Sequence, residues 1–188
     1  MADGDPPQHM DGLADRARSM FPLINRDNTC CFSGYRPEKL PWGIDEGSKR
    51  CGLMKETLLD EAGLVVLSGI RNFVCGMARG SDMFFCEAIL FLREKYTGIT
   101  LEAAIPYEGQ SSGWREADRK RYDRLVEQCD FVTYVSLRYS KSCMIRRNRY
   151  MVDKSSVLLA VFDGKYGGTK NTMKYAAKRG LEIIEIKP

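Results

Sequence analysis

Short apolar runs alternate with longer amphipathic segments along most of the chain, and this pattern predicts alternating strands and helices. The runs are nearly continuous in apolar residues, which is typical of strands buried on both faces of a parallel sheet. The final run instead alternates apolar and acidic residues, so we place it near an edge of the sheet. The six predicted strands are residues 29–33, 72–75, 101–105, 131–135, 156–162 and 181–186.

Segments of helical length separate these runs. Apolar residues at helical spacing predict a helix over residues 45–62, and Ser81 and Asp82 are expected to cap the next helix. Further helices are expected around residues 115–129, over residues 142–154 and after Gly168. This alternation predicts an α/β, Rossmann-like, doubly wound fold with a mainly parallel sheet of about six strands and helices on both faces.

The length of 188 residues suits one domain of ordinary size. Residues 1–28 are rich in Asp, Pro and Arg, and we interpret them as a flexible leader with one helical turn near Leu13–Met20. Residues 29–188 then form a single domain, because no internal repeat or interdomain linker interrupts the pattern.

Composition narrows the class of protein. A net charge of +4 fits an anionic ligand but is too small to indicate a dedicated nucleic-acid binder. No apolar run approaches the roughly 20 residues of a membrane span, and the leader lacks a signal-peptide core, so we expect a cytoplasmic protein. The seven cysteines are odd in number and lie largely in apolar runs, which indicates free thiols. With one histidine, His9, and no Cys-x-x-Cys pair, we expect no metal site.

Candidate binding residues follow the predicted strands. Ligands of open α/β sheets bind beyond the carboxyl ends of the strands, so residues there are the natural candidates. Tyr107 comes directly after a strand-terminal proline, and we expect its ring to stack on a nucleobase. The candidates at these strand ends are Gly34, Tyr35, Arg36, Gly76, Arg79, Gly80, Ser81, Asp82, Tyr107, Gln110, Asp163, Gly164, Gly167, Gly168 and Thr169.

Two of these loops have the composition of phosphate cradles. Residues 80–81 and 167–169 each place glycine and a hydroxyl at a helix N-terminus, where free backbone N–H groups and the helix dipole attract anions. Neither loop has the P-loop or dinucleotide-binding glycine pattern, and each alone is more typical of a turn followed by an N-cap than of a phosphate site. Two such loops at one edge of the sheet, with Arg36 and Arg79 among them, favour a binding crevice.

Arg147 is a further candidate ligand contact, within an arginine-rich predicted helix. It lies near one helical stripe with Met144 and Met151. An arginine facing the sheet among apolar neighbours would be costly to bury without an anionic partner. Arg146 and Arg149 are expected at the surface or at a subunit interface.

Five motifs together carry a family resemblance. They are residues 31–37, 76–82, 104–107 with Gln110, 147–153, and 162–164 with 167–169. With these motifs the chain resembles the YpsA-type branch of the SLOG superfamily, which implies a Rossmann-like fold and the sensing or processing of nucleotide-derived ligands. The superfamily includes the LOG phosphoribohydrolases, which release a base from a nucleoside monophosphate, and DprA, which binds single-stranded DNA. The YpsA branch is linked to bacterial cell division.

The chain departs from the LOG pattern at one position. The resemblance places the LOG arginine on Arg147, but the acidic residue of the LOG glycine motif P-G-G-x-G-T-x-x-E falls on Thr172. A threonine cannot act as the carboxylate that stabilises an oxocarbenium-like sugar or transfers a proton. Glu108, Asp82 or Asp163 could supply a carboxylate from another loop, and Glu108 and Asp82 are the candidate catalytic residues. The pattern favours a binding protein over an enzyme.

The leading hypothesis is therefore a sensor or regulatory protein that binds a nucleotide or nucleotide derivative, such as a nucleoside phosphate, ADP-ribose or an NAD-like molecule, with no certain cofactor. One alternative is a hydrolase of the N-glycosyl bonds of nucleotides. Another is single-stranded nucleic-acid binding, although the basic run is more typical of a solvated helix face, so nucleic acid is not the expected partner. A homodimer or higher homo-oligomer is also expected. The basic run consists of Arg115, Arg119, Lys120, Arg121 and Arg124.

Overall fold

A computed structural model describes residues 24–188. Residues 1–23, with His9 and the helical turn expected at Leu13–Met20, lie outside the described part of the chain. The last three residues assigned to the leader, Arg26–Asn28, form a short 3-10 helix. This helix is attached to the domain, because Arg26 Nε donates a hydrogen bond to the carbonyl oxygen of Ser155 at 3.0 Å.

The six strands form one sheet in which every pairing is parallel, as the sequence predicts. Their order is β4-β3-β2-β1-β5-β6. The order reverses between β1 and β5, which creates the crevice where ligands of such sheets bind. The strands are β1 (Thr29–Ser33), β2 (Asn72–Cys75), β3 (Thr100–Ile105), β4 (Phe131–Tyr134), β5 (Val157–Val161) and β6 (Glu182–Ile186).

Within residues 24–188, five α-helices cover both faces of the sheet, which confirms the predicted Rossmann-like fold. Helices α1 to α3 contribute to one apolar cluster, and α4 and α5 to the other. This division follows from right-handed crossovers that run in opposite directions on the two sides of β1. The helices are α1 (Lys49–Leu67), α2 (Ser81–Lys95), α3 (Glu116–Glu127), α4 (Cys143–Asp153) and α5 (Gly168–Lys178).

Alternate residues of the inner strands belong to different clusters. In β1, Cys30 and Phe32 pack in the cluster of α1 to α3, while Cys31 packs against α4 and α5. All five residues of β1 and of β5 are buried, as expected for strands covered on both faces. The edge strand β4 differs, because three of its four residues are exposed.

Two helix starts differ from the prediction. The first helix was expected at residue 45, but the Ser48 side chain caps it by accepting a hydrogen bond from the Cys51 N–H at 3.2 Å. The proposed cap of the second helix by Ser81 and Asp82 is wrong. Gly80 is its N-cap, with φ at 82°, and both residues lie inside the first turn.

None of the helices within residues 24–188 is long and apolar enough to cross a membrane. The seven cysteines, which all lie in this range, are free thiols. Within the same range, no three His, Cys, Asp or Glu side chains are grouped so that they could hold a metal ion.

Candidate anion-binding site

A cavity of about 310 Å³ opens at the carboxyl end of β1, next to the N-terminal turns of α2 and α5. We call it the anion cavity. The reversal of strand order beside β1 positions it, because the connections on either side lead away from each other. Of the residues predicted from the sequence, those that line it are Gly34, Tyr35, Arg36, Asp82, Arg147, Gly168 and Thr169.

The end of β1 packs tightly against the start of α2. The Ser81 N–H donates to the Tyr35 carbonyl oxygen at 3.1 Å. A Cβ atom at Gly34 would lie 2.5 Å from the Ser81 Cβ, and one at Gly80 would lie 2.8 Å from the Tyr35 oxygen. Side chains at these two glycines would therefore push the β1 loop away from α2, and the glycines keep the loop at the cavity.

Arg147 is the most unusual residue of the cavity. It lies on α4 and is only 5% exposed, yet its Nε and Nη1 have no hydrogen-bond partner among the described residues. The nearest carboxylate is that of Asp82, whose Oδ2 is 3.7 Å from Nη1. That distance is too long for a hydrogen bond. A buried guanidinium therefore reaches the cavity with unsatisfied donors.

The electrostatic environment does not offset the cost of burying the charges of Arg147 and Asp82. Burial lowers the pKa of Arg147 below its ordinary value, and the nearby Asp82 only partly opposes that shift. Burial likewise raises the pKa of Asp82, although Arg147 and the Ala78 N–H, which lies 3.1 Å from Asp82 Oδ2, stabilise its charged form. Both charged forms are thus disfavoured, and an anion placed near Arg147 would relieve the arginine.

Gly76 makes room for the Arg147 side chain. A Cβ atom at Gly76 would overlap the Arg147 guanidinium. The next residue, Met77, is fully buried with φ at 54°, a conformation that costs about 1–3 kcal/mol for a residue other than glycine. Gln110 supports this turn, since its Nε2 donates to the Met77 carbonyl oxygen at 2.8 Å. Gly76 and Gln110 thus shape the site from behind the cavity wall.

The start of α5 forms the opposite wall. Thr169 Oγ1 donates to the Gly34 carbonyl oxygen at 3.3 Å and joins α5 to the β1 loop. Thr172, at the position of the LOG acidic residue, donates to the Gly168 carbonyl oxygen at 3.0 Å and accepts from Asn148 Nδ2 at 2.8 Å. Thr172 therefore bridges α4 and α5 and supplies no carboxylate.

Asp163 supports the site indirectly. The Tyr35 hydroxyl donates to its Oδ1 at 2.7 Å, and Lys165 Nζ lies 2.6 Å from its Oδ2. These partners, Lys165 first, hold the pKa of Asp163 at about 2. Asp163 does not line the cavity and instead orients the ring of Tyr35, which does.

Arg79 was expected to neutralise phosphate, but its guanidinium is already paired. It forms an ion pair with Glu38 and lies 3.5 Å from Asp118 Oδ2. Arg79 does not line the anion cavity, whereas Glu38 does. The structure thus places Arg79 among carboxylates near the rim and leaves Arg147 with open donors.

The remaining predicted residues lie outside the cavity lining. Tyr107 packs edge-on against Tyr139, with ring centroids 5.3 Å apart. Glu108 is exposed, and Gly164 has a φ of 94° in the exposed turn after β5. At Gly167, a Cβ atom would collide with the amino group of Lys39.

Eight lining residues escaped the sequence argument for ligand contacts, among them Met144, Asn148 and Lys39. Met144 and Asn148 lie three residues before and one residue after Arg147 on α4, so its helical spacing could have identified Met144 as a cavity residue. Lys39 lies in the loop after β1 and donates from Nζ to the Tyr166 carbonyl oxygen at 3.2 Å. No sequence pattern indicated that this lysine would line the cavity.

Sequence comparison places the chain in a family. The sequence profile described as the YspA SLOG family matches residues 30–186. The SPbeta prophage-derived protein YoqJ of Bacillus subtilis is 30% identical over 130 residues, which cover 63% of this chain and 76% of that protein. A UPF0398 protein of Halalkalibacterium halodurans is 28% identical over 152 residues, which cover 79% of each chain.

Two solved structures share the fold. DprA of Streptococcus pneumoniae superposes with a TM-score of 0.55 at 16% identity, over 84% of this chain and 49% of that one. DprA of Helicobacter pylori, whose structure concerns single-stranded DNA binding, superposes with a TM-score of 0.57 at 14% identity, over 84% of this chain and 64% of that one. The present chain therefore spans only part of the length of either DprA.

Proposed function

Because the chain belongs to the YspA SLOG family, we propose that it binds a phosphate-bearing ligand of nucleotide type in the anion cavity and acts as a sensor or regulatory protein. The observation that carries this proposal is the buried Arg147, which lines the cavity and has two donor nitrogens without a hydrogen-bond partner among residues 24–188. Without a ligand, these donors impose a desolvation cost of about 1–3 kcal/mol for each unsatisfied group. A phosphate group beside the guanidinium would offset part of this cost by its charge and by accepting hydrogen bonds.

The surroundings of Arg147 support an anion rather than another partner. Arg36 and Lys39 also line the cavity and are exposed, so they can approach a phosphate group. Gly168 begins α5 with open space around the position of a Cβ atom, which lets a phosphate approach the backbone N–H groups of that turn. Asp82 is also in the lining, and in this proposal it would accept hydrogen bonds from ribose hydroxyls.

Isothermal titration tests the proposal directly. The purified protein is titrated with nucleoside mono- and diphosphates, ADP-ribose and NAD, and we expect at least one to bind with a Kd in the micromolar range. The Gly168→Glu variant should lose this binding, because it places a carboxylate where the phosphate would lie. Absence of binding across the whole panel would overturn the proposal.

A matched variant controls for the added charge. Gly63→Glu introduces the same side chain near the end of α1, where a Cβ atom would make only an ordinary contact of 3.9 Å with Leu92. Because α1 runs antiparallel to the strands, its last turns lie at the end of the sheet opposite the cavity. Gly63→Glu should therefore bind as the unsubstituted protein does.

A hydrolase remains the second candidate function, and Asp82 is the residue that favours it. Asp82 is a buried carboxylate in the cavity lining, and burial raises its pKa, as is common for a general acid. Incubation with nucleoside monophosphates, followed by chromatography for free base, tests this activity. Turnover that Asp82→Asn removes would establish a hydrolase, and turnover that Glu108→Gln removes would assign the role to Glu108.

Single-stranded nucleic acid is the less supported alternative. In the basic run of α3, Lys120 pairs with Glu116 at 2.7 Å, and Arg121 pairs with both Glu46 and Glu87. Arg115 pairs with Asp118 at 3.0 Å. Three of the five cations in the basic run thus already hold carboxylates, which reduces what the run can contribute to phosphate binding. A salt-dependent change in the fluorescence anisotropy of a labelled oligonucleotide would favour the DprA-like function instead.

We also propose that the protein self-associates through the edge strand β4. Phe131, Val132 and Tyr134 are exposed on this strand, and Leu137 is 83% exposed just after it. Edge strands that remain unpaired usually carry charges or proline, and β4 carries neither. Light scattering coupled to size-exclusion chromatography should give a dimer or larger oligomer that Val132→Lys dissociates. A monomeric unsubstituted protein would contradict this proposal.

The cellular setting follows from the thiols and the family. Seven free cysteines support a reducing compartment, which we take to be the bacterial cytoplasm. The family link extends the proposal to a regulatory role in cell division or stress. Measuring division and stress phenotypes of a deletion strain complemented with Gly168→Glu would test whether ligand binding is needed for that role.

A further inference from the structure

A second cavity of about 290 Å³ lies beside the anion cavity, between α4 and α5. We call it the side cavity. The two cavities meet at three residues that line both of them, Met144, Asn148 and Gly168. Gly168 carries no side chain, and nothing lies within 4 Å of the place where a Cβ atom would be. A ligand that fills both cavities would pass over this glycine.

The side cavity has a different chemical character from the anion cavity. Met144 and Ile145 offer apolar surfaces, and Tyr175 offers an aromatic ring. Among residues 24–188, Arg149 is the one charged residue in its lining, and its guanidinium lies over the Tyr175 ring at 5.4 Å from the centroid. A lining of this kind suits a flat, uncharged ring better than a second phosphate.

Two carboxamides add hydrogen-bonding capacity to these apolar walls. The Asn171 side chain is exposed and forms no hydrogen bond with the residues the structure describes. Asn148 uses its Nδ2 to donate to Thr172 at 2.8 Å, which leaves its carbonyl oxygen as an acceptor. A carboxamide offers both donors and an acceptor, as the polar edge of a nucleobase requires.

We infer that the side cavity holds the base of the nucleotide whose phosphate lies at Arg147. The inference rests on the proposed function and adds how the ligand is selected: the base packs against Tyr175, and Asn171 hydrogen-bonds to its edge. Tyr107 was expected to stack on a base, but it packs on Tyr139 and lines neither cavity. The ligand class is thus a nucleoside 5′-phosphate, alone or within a larger nucleotide, with both its base and its phosphate bound.

Comparing ligands with and without a base tests this inference. AMP, GMP, CMP, UMP and ribose 5-phosphate are titrated into the unsubstituted protein by calorimetry. At least one nucleotide should bind roughly tenfold more tightly than ribose 5-phosphate, as expected when a base stacks on an aromatic side chain. Tyr175→Ala should reduce this difference to about twofold or less while leaving the affinity for ribose 5-phosphate unchanged.

Two further variants separate the ring from its other contacts. The Tyr175 hydroxyl donates to Asp153 Oδ1 at 2.9 Å, so Tyr175→Phe removes that bond but keeps the ring and should keep the preference for the nucleotide. Asn171→Ala alters an exposed residue and should change which base is preferred without altering the affinity for ribose 5-phosphate.

The outcomes distinguish the two proposals. If a nucleotide and ribose 5-phosphate bind equally well, or if the preference survives Tyr175→Ala, the base does not occupy the side cavity and the anion cavity is unaffected. If none of the five compounds binds and the larger nucleotides of the earlier panel also fail, the proposed function itself is overturned. A preference that disappears in Tyr175→Ala and persists in Tyr175→Phe supports the inference.

Discussion

Helix α4 contributes residues to two buried charged groups. The hydrogen bonds of one group are complete, and those of the other are not. Glu102 on β3 and Arg147 on α4 are both only 5% exposed. Glu102 accepts hydrogen bonds from Lys154 at 2.6 Å, from Tyr150 at 2.5 Å and from Thr133 at 2.7 Å. Arg147 has no comparable set, since two of its nitrogens lack a hydrogen-bond partner among residues 24–188 and the nearest carboxylate oxygen, of Asp82, is 3.7 Å away.

The pKa shifts reflect this difference. Burial alone would raise the pKa of Glu102, but its hydrogen bonds, led by the one from Lys154, lower it below the ordinary value. Burial lowers the pKa of Arg147, and Asp82 does not restore it. A buried charge whose hydrogen bonds are complete stabilises the fold, whereas one with open donors favours binding of an anion. The same helix therefore serves stability at one end and binding in its middle.

The largest expected effect is a loss of stability when Glu102 loses the lysine that pairs with it. Lys154→Met leaves Glu102 buried without its cation and should lower the free energy of unfolding by about 3 kcal/mol. Ligand affinity should remain unchanged, because neither residue lines the anion cavity. Urea denaturation and calorimetry measure the two quantities.

Lys174→Met is the control for this prediction. Lys174 is an exposed lysine on α5, so its loss should change stability by less than about 0.5 kcal/mol. Equal destabilisation by both variants would show that the Glu102 group adds no stability of its own.

Replacing Arg147 should instead weaken ligand binding strongly and change stability little. Arg147→Met should weaken binding of the tightest nucleotide about 100-fold, or about 2.7 kcal/mol, while changing the free energy of unfolding by less than about 1 kcal/mol. Stability changes little because the variant removes a desolvated cation along with its weak attraction to Asp82. Arg146→Met, on the exposed neighbour, should bind normally. A loss of stability as large as that of Lys154→Met would place Arg147 among the structural residues.

A substitution at Gly76 should weaken ligand binding by displacing the Arg147 guanidinium. Gly76→Ala places a methyl group where the Arg147 guanidinium now lies, and the flexible side chain has to move. We expect roughly tenfold weaker binding, with no further loss when Gly76→Ala is combined with Arg147→Met. A double-mutant cycle by calorimetry measures this coupling, and additive losses would mean that Gly76 acts independently of Arg147.

The smallest expected effects are opposite pH dependences of the two carboxylates. The lowered pKa of Glu102 stabilises the fold above the unfolded-state value of about 4.3, and this contribution is lost as pH falls through the folded-state pKa. The raised pKa of Asp82 gives a contribution that is present below about 3.9 and is lost as pH rises through its folded-state pKa.

Unfolding in urea at a series of acidic pH values tests these signs. Relative to the unsubstituted protein, Glu102→Gln should lose stability mainly above the folded-state pKa of Glu102. Asp82→Asn should gain relative stability as pH rises through the folded-state pKa of Asp82. Differences of the same sign for both variants would contradict the contrast between the two groups.

The sequence was sufficient for the strands but less so for the helix ends. Continuous apolar runs located β1 and β2 to the residue, because burial on both faces leaves a strong local pattern. The first helix was placed four residues too early, because the cap at Ser48 depends on a specific hydrogen bond that hydrophobic periodicity does not report. For the candidate site, the sequence located the edge of the sheet, since strand ends can be found without knowing what their side chains contact, but only seven of the sixteen predicted residues line the anion cavity.

The sequence by itself determined the order of the elements, the parallel sheet and the edge at which glycine and arginine collect, because these depend on local periodicity and on the rules of strand connection. Only the tertiary structure decided which arginine is available to a ligand. Arg79 finds Glu38 and Asp118, which are distant in the chain, while Arg147 is buried over Gly76 with open donors. Pairing of charges depends on distances between remote segments, and such distances are set only when the sheet and helices have packed.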